Sequence, residues 1–175
     1  MSSFSLIPFD VDTAPAVTVT GTIERYQNQL DINYCLKERS QIIIHDPAAQ
    51  PTRQFDLWEH TCCEFFLGLQ GTSQYWEFNL SPAGHWNVFR FPDYRQNIAE
   101  EMAFAAFPFQ VSTRNDVLQV RAKIDLSQII KPSQKLEVGI TAVVEAQDRQ
   151  LSYWALSHPD QEPDFHLRDT FAVNL

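Results

Sequence analysis

The stretch VTVTGTIERYQNQLDINYCL, residues 17–36, decides how the rest of the chain is read. In its second half Leu30, Ile32, Tyr34 and Leu36 alternate with Asp31, Asn33 and Cys35. This period of two turns one face of a strand to a core and the other to water. Gln27-Asn28 separates it from a second β-prone run, Val17 to Tyr26, so the two read as a hairpin. Working outward, the same grammar recurs. A short apolar run, Gln41 to His45, is followed by Asp46 to Pro51, whose prolines exclude regular pairing and mark a loop. Thr61 to Leu67 reads as a strand turning at Gly68 to Gly71. Tyr75 to Ser81 and His85 to Phe91 flank Ser81-Pro82-Ala83-Gly84, with proline second and glycine fourth as a type I turn prefers. Further strands are expected over Phe107–Thr113, Val117–Ile124, Leu136–Glu145, Leu151–Ser157 and Thr170–Val173, with one short helix over Asp125–Lys131 and an irregular crossing over Asp93–Met102. Many short strands and no helix long enough to cross between parallel strands predict an all-β, antiparallel β-sandwich occupying residues 1–175 as one domain.

Composition narrows the function. The 175 residues carry 13 Lys and Arg against 22 Asp and Glu, a formal charge of −9 and a pI of about 4.9. A phosphate backbone or an anionic lipid surface would be repelled, so neither nucleic acid nor membrane is an expected partner. No apolar run approaches the roughly 18 residues of a spanning helix, and the first cation is Arg25, which leaves no basic start for a signal peptide. A cytoplasmic protein is expected. Cys35, Cys62 and Cys63 are odd in number, which suits buried thiols better than a disulfide framework.

Sorting the strands by alternation gives two sets of side chains. Cys63, Phe65 and Leu67, with Trp76, Phe78 and Leu80, form an apolar set that the alternate residues of 118–124 and 138–144 extend into a core. The opposite faces carry Glu64, Glu77, Asn79, Gln119, Arg121, Lys123, Thr141 and Glu145. Such an array is either a wet outer surface or a polar cleft that fixes hydroxyl groups by charge-assisted hydrogen bonds. Trp58, Trp86 and Trp154 stand near strand ends, where an indole can stack on the apolar face of a sugar ring or simply pack. The five histidines are scattered, without the spacing of a metal site, and no metal is expected. Glu64 and Glu77 admit a glycoside-cleaving alternative, since such enzymes use paired carboxylates.

Three blocks, LWEHTCCEFFLGL at 57–69, YWEFNLSPAGHWNVFRF at 75–91 with DYRQ at 93–96, and YWALSHPDQEPDFHLRDTF at 153–171, resemble small bacterial proteins of the DOMON-like superfamily, close to type-9 carbohydrate-binding modules. The resemblance implies a jelly-roll-like β-sandwich with a ligand site on its concave side, used in relatives for sugars or for haem. Trp58 and Glu64 are similar in spacing to the family's first stacking tryptophan and its hydroxyl-binding glutamate, and Arg90 is a looser match to its arginine. For the second ring the chain offers Trp154 on a strand, or Phe165 and His166 in the late loop. The favoured expectation is a non-catalytic protein that binds a sugar or related polyol, a small molecule or glycan, without a cofactor. The haem alternative would need an axial pair such as a histidine with Met102.

Overall fold

The computed structural model describes residues 1–175 as two antiparallel sheets that share one core. The smaller sheet holds β1 (Ser2–Ser5), β3 (Thr18–Tyr26), β4 (Gln29–Lys37), β10 (Val117–Asp125) and β9 (Phe109–Arg114), in that order. The larger runs β2 (Ile7–Pro8), β12 (Leu151–Ala155), β11 (Leu136–Glu145), β5 (Cys62–Leu69), β6 (Tyr75–Leu80), β7 (Trp86–Phe91) and β8 (Ala99–Glu100), with β13 (Val173–Asn174) pairing on β11. The 17–36 hairpin forms β3 and β4, and Gln27 makes the turn with a φ of 56°. Leu30, Ile32, Tyr34 and Leu36 are all buried, as their alternation requires.

The inner faces interdigitate through Phe65, Phe78, Val120 and Ile140, among others, and each fully buried side chain of this size removes about 1.5–3 kcal/mol of apolar surface cost. Phe65 and Phe78, directly opposite on β5 and β6, stack at 4.5 Å. One polar tie crosses the core. Tyr34 of the smaller sheet, fully buried, donates its hydroxyl to the Glu64 carbonyl of the larger sheet at 2.5 Å, so the strand bearing Glu64 is pinned from behind.

Two expectations change, and one strand was not foreseen. Residues 125–131 form a turn closed on Leu126 rather than a helix, because the chain leaves β10 at Asp125 and Leu126 itself sinks into the core. Thr170 belongs to a single helical turn, Arg168–Thr170, and only Val173–Asn174 pairs as strand. The N-terminal Ser2–Ser5 strand, which pairs with β3, carries too little pattern to be read locally. The 93–102 crossing is irregular apart from the two residues of β8.

Candidate functional site

Strand alternation sends Glu64 and Phe66 of β5, Tyr75, Glu77 and Asn79 of β6, Phe89 and Phe91 of β7, and Thr141, Val143 and Glu145 of β11 away from the core, onto the outer face of the larger sheet. This face is apolar enough to need cover. The C-terminal segment supplies it by crossing the strands at two glycines: a Cβ on Gly68 would lie 1.6 Å from the Arg168 guanidinium, and one on Gly139 would lie 2.8 Å from the Phe171 ring. Phe171 packs there with Phe66, Tyr75, Phe89 and Phe91 in a second hydrophobic cluster.

Beyond that cover the face opens into a pocket of about 370 Å³. Its sheet-borne lining is Glu64, Phe66, Glu77, Phe91, Val143 and Tyr153, and its remaining walls come from three irregular segments. Trp58 sits on a single helical turn, Leu57–Glu59, entered through Asp56 in the left-handed region and anchored by buried Leu57; its ring meets Phe89 edge-on at 6.1 Å. Arg95 and Ile98 come from the crossing, where Arg95 and Asn97 have positive φ. Pro163, Phe165 and His166 come from the late loop, and Phe165 meets Tyr153 of β12 at 6.1 Å.

A hydrogen-bond chain holds the two loops together. Asp164 accepts from Arg95 at 2.8 Å, from the Tyr94 hydroxyl at 2.5 Å and from the His166 amide at 2.9 Å. Burial alone would raise its pKa, but these donors outweigh burial and hold it below the ordinary carboxylate value. The Tyr75 hydroxyl accepts from the Arg95 amide at 3.1 Å and lies 2.9 Å from His166 Nδ1. Where Tyr75 donates to Nδ1, the neutral imidazole carries its proton on Nε2. That nitrogen stands 3.8 Å from Glu77 Oε2, beyond hydrogen-bond range, and burial lowers the His166 pKa to about 4, so the contact is polar rather than ionic.

The two carboxyl groups are buried and electrostatically coupled. Burial raises Glu64 well above its ordinary value, and repulsion from Glu77 adds to it. Burial likewise pushes Glu77 up to about 7, although Asn79 Nδ2 donates to its Oε1 at 2.8 Å and Arg95 lies nearby. Glu64 Oε1 and Asn79 Oδ1 are buried with no hydrogen-bond partner, and their residues face each other across β5 and β6. An unpartnered buried polar atom costs about 1–3 kcal/mol, so two in one place mark a site that awaits a donor.

The sequence-predicted residues are thus only partly assembled. Trp58, Glu64, Glu77, Phe165 and His166 converge on the pocket, with Asn79 bonded to Glu77. Arg121 does not join them. Like Gln119 and Lys123 it projects from β10 in the smaller sheet, where it binds Asp31 bidentately at 2.6 and 3.1 Å in a separate, almost wholly polar pocket of about 390 Å³. Trp154 is turned into the core opposite Ala142, its indole N–H on Ser152, and Trp86 is buried beneath the Arg53 guanidinium at 4.4 Å. Arg90 lies opposite Trp76 on the other side of β7, so Arg95 is the arginine at the pocket. Met102, which the haem alternative offered as an axial ligand, is 75% exposed and does not line this pocket. Cys62 is as buried as Cys63, so both thiols of the pair are covered.

Glu145 shares the outer face but belongs to a different cluster. His60 Nδ1 lies 3.0 Å and His45 Nε2 3.5 Å from its Oε2, and the three donor atoms all fall within 4.8 Å of one another. The histidines that looked scattered are therefore partly gathered, because their spacing is set by the fold and not along the chain.

A two-sheet antiparallel sandwich with a pocket on the outer face of its larger sheet has the fold of type-9 carbohydrate-binding modules. Two solved structures show the likeness. One is a Bacteroides uniformis protein with a provisional carbohydrate-binding assignment, 14% identical, with a TM-score of 0.72 over 98% of this chain and 84% of that one. The other is a family 9 module from Caldicellulosiruptor kristjanssonii in complex with glucose, 13% identical, with a TM-score of 0.50 over 82% of this chain and 69% of that one. No family model matches the sequence, and no curated protein does either.

Proposed function

We propose that this chain is a non-catalytic binding protein for a sugar or related polyol, held in the Trp58–Glu64–Glu77 pocket. The observation that carries the reading is the unpartnered Glu64 carboxyl oxygen, buried beneath aromatic walls. A ligand hydroxyl supplies the donor it lacks, and the rings of Trp58, Phe91 and Phe165 suit the apolar face of a pyranose. The fold neighbours support the same class, one of them having been solved with glucose. The volume sits at the small end of ligand sites, which favours one or two sugar units over a long chain.

A glycosidase reading has one observation in its favour, the Glu77 value of about 7, which suits a general acid. It then requires Glu64 as an ionised partner, whereas burial and the neighbouring Glu77 both raise the Glu64 pKa and so work against that charge. Binding without cleavage fits both groups. The test is a glycan array followed by calorimetry with the best binder. Trp58→Ala is expected to weaken binding by about 1–3 kcal/mol with little change in melting temperature. A large loss of stability with unaltered affinity would make Trp58 packing only, and release of free sugar that Glu64→Gln abolishes would install the enzyme instead.

A further inference from the structure

We infer that His45, His60 and Glu145 form a binding site for a borderline divalent cation of the zinc type, at the end of β11. Around a tetrahedral ion with donors at about 2.0–2.1 Å, neighbouring donor atoms stand about 3.3 Å apart. Two of the three edges here, 3.0 and 3.5 Å, already bracket that value. The third lies within the 4.8 Å that encloses all three atoms. The imidazoles meet edge to face at 4.3 Å between centroids, and their side chains are 44% and 49% exposed, so a small ring rotation closes the gap. Two nitrogens and one carboxylate oxygen suit zinc and its first-row neighbours and are too poor in oxygen for calcium.

The backbone holds the three donors in place. Ile43 N–H bonds the Glu145 carbonyl at 2.8 Å, which fixes the approach of His45. Thr61, beside His60, donates its hydroxyl to the Ile43 carbonyl at 2.8 Å and accepts from the Glu145 amide at 3.1 Å. The Glu145 side chain is only 4% exposed, and Arg149 holds its Oε1 at 3.0 Å, leaving Oε2 as the oxygen on which both imidazoles converge. Satisfying a carboxylate oxygen requires one imidazole; the second ring is what a bare ion pair does not explain. Three protein donors leave one tetrahedral position for water or a further ligand atom. Arg149 opposes a cation by its charge, so affinity is set against that repulsion. The site stands apart from the sugar reading, although His60 follows Trp58 by two residues and Val143 of the pocket precedes Glu145 by two.

The test is titration of the tag-free full chain with zinc chloride by calorimetry, and with cobalt chloride by visible absorption. One equivalent is expected to bind, with the intense bands of tetrahedral cobalt. Loss of an outer partner of a metal ligand alone costs about 10- to 100-fold in affinity, so His45→Ala and His60→Ala should each cost at least that much. Arg149→Ala should tighten binding. Both histidines are half-exposed, so their variants are expected to fold; circular dichroism checks this, and they decide the matter even where Glu145→Gln does not fold. Absence of saturable binding overturns the assignment. So does zinc binding that is unaltered in both histidine variants, which would place the metal elsewhere on the chain.

Discussion

Replacing Glu77 by glutamine should stabilise the protein at alkaline pH and leave it unchanged in acid. The glutamine side chain keeps an acceptor for Asn79 Nδ2 and nearly the same volume, so the substitution isolates the charge. Burial lifts the Glu77 pKa from 4.5 to about 7. At 1.36 kcal/mol per pH unit, ionising this group in the folded chain costs about 3 kcal/mol once the solution lies above both values. Between them the folded chain binds more protons than the unfolded one, so stability falls as pH rises from about 4.5 to 7; below 4.5 both states are protonated and the cost vanishes. His166 acts in the opposite sense, losing stability as pH falls from 6.5 towards 4, but it is present in both proteins and cancels in the comparison. Relief of Glu64 from its neighbour's charge adds to the gain in the variant. Urea denaturation followed by tryptophan fluorescence at pH 4.5 and pH 8 measures it. The expected result is equal stability at pH 4.5 and a Glu77→Gln advantage of about 3 kcal/mol at pH 8, a large part of a typical 5–15 kcal/mol total. A wild-type protein that is the more stable at pH 8 would refute the reasoning, since Glu77 would then be ionised and paired. A difference that does not vary with pH would refute it too.

Two further outcomes follow from burial. Native-state alkylation should label Cys35 and spare both Cys62 and Cys63, whose thiols are covered and whose pKa values burial raises; peptide mass mapping reads the sites, and labelling of Cys62 would mean that its end of the pocket face opens. Tyr34→Phe should cost about 1–1.5 kcal/mol of folding stability by denaturant titration, because the Glu64 carbonyl loses its donor from across the core; an unchanged midpoint would make that bond incidental.

The division between what could and could not be read from the chain follows the periodicity. Glu64, Glu77 and Asn79 were legible as one face because alternation is local, and β5 pairs with β6 across a short turn. Arg121 obeyed the same alternation and was still misplaced, because a period of two says which face a residue takes and not which sheet its strand joins. That choice is made by β10 pairing with β4, some ninety positions away in sequence. Trp154 points inward because it registers with Ala142, a fact that exists only once β11 and β12 are paired. Arg95 lies where no periodicity operates, in a crossing whose backbone is held at positive φ.

The pocket is therefore built from two kinds of sequence. Its polar floor comes from regular strands whose side-chain directions the pleat dictates, and the strand bearing Glu64 is fixed from behind by Tyr34. Much of its wall comes from residues 56–60, 93–98 and 163–166, where loop residues are freed from pairing and the Arg95–Asp164 ion pair ties two of the segments together. A floor that is rigid and short of hydrogen-bond donors, beneath walls drawn from loops, puts the polar demand on the sheet and leaves the loops to choose among ligands. Substitutions at Glu64 or Asn79 should then abolish binding for every ligand the pocket takes, whereas substitutions at Arg95, Ile98 or Phe165 should reorder its preferences.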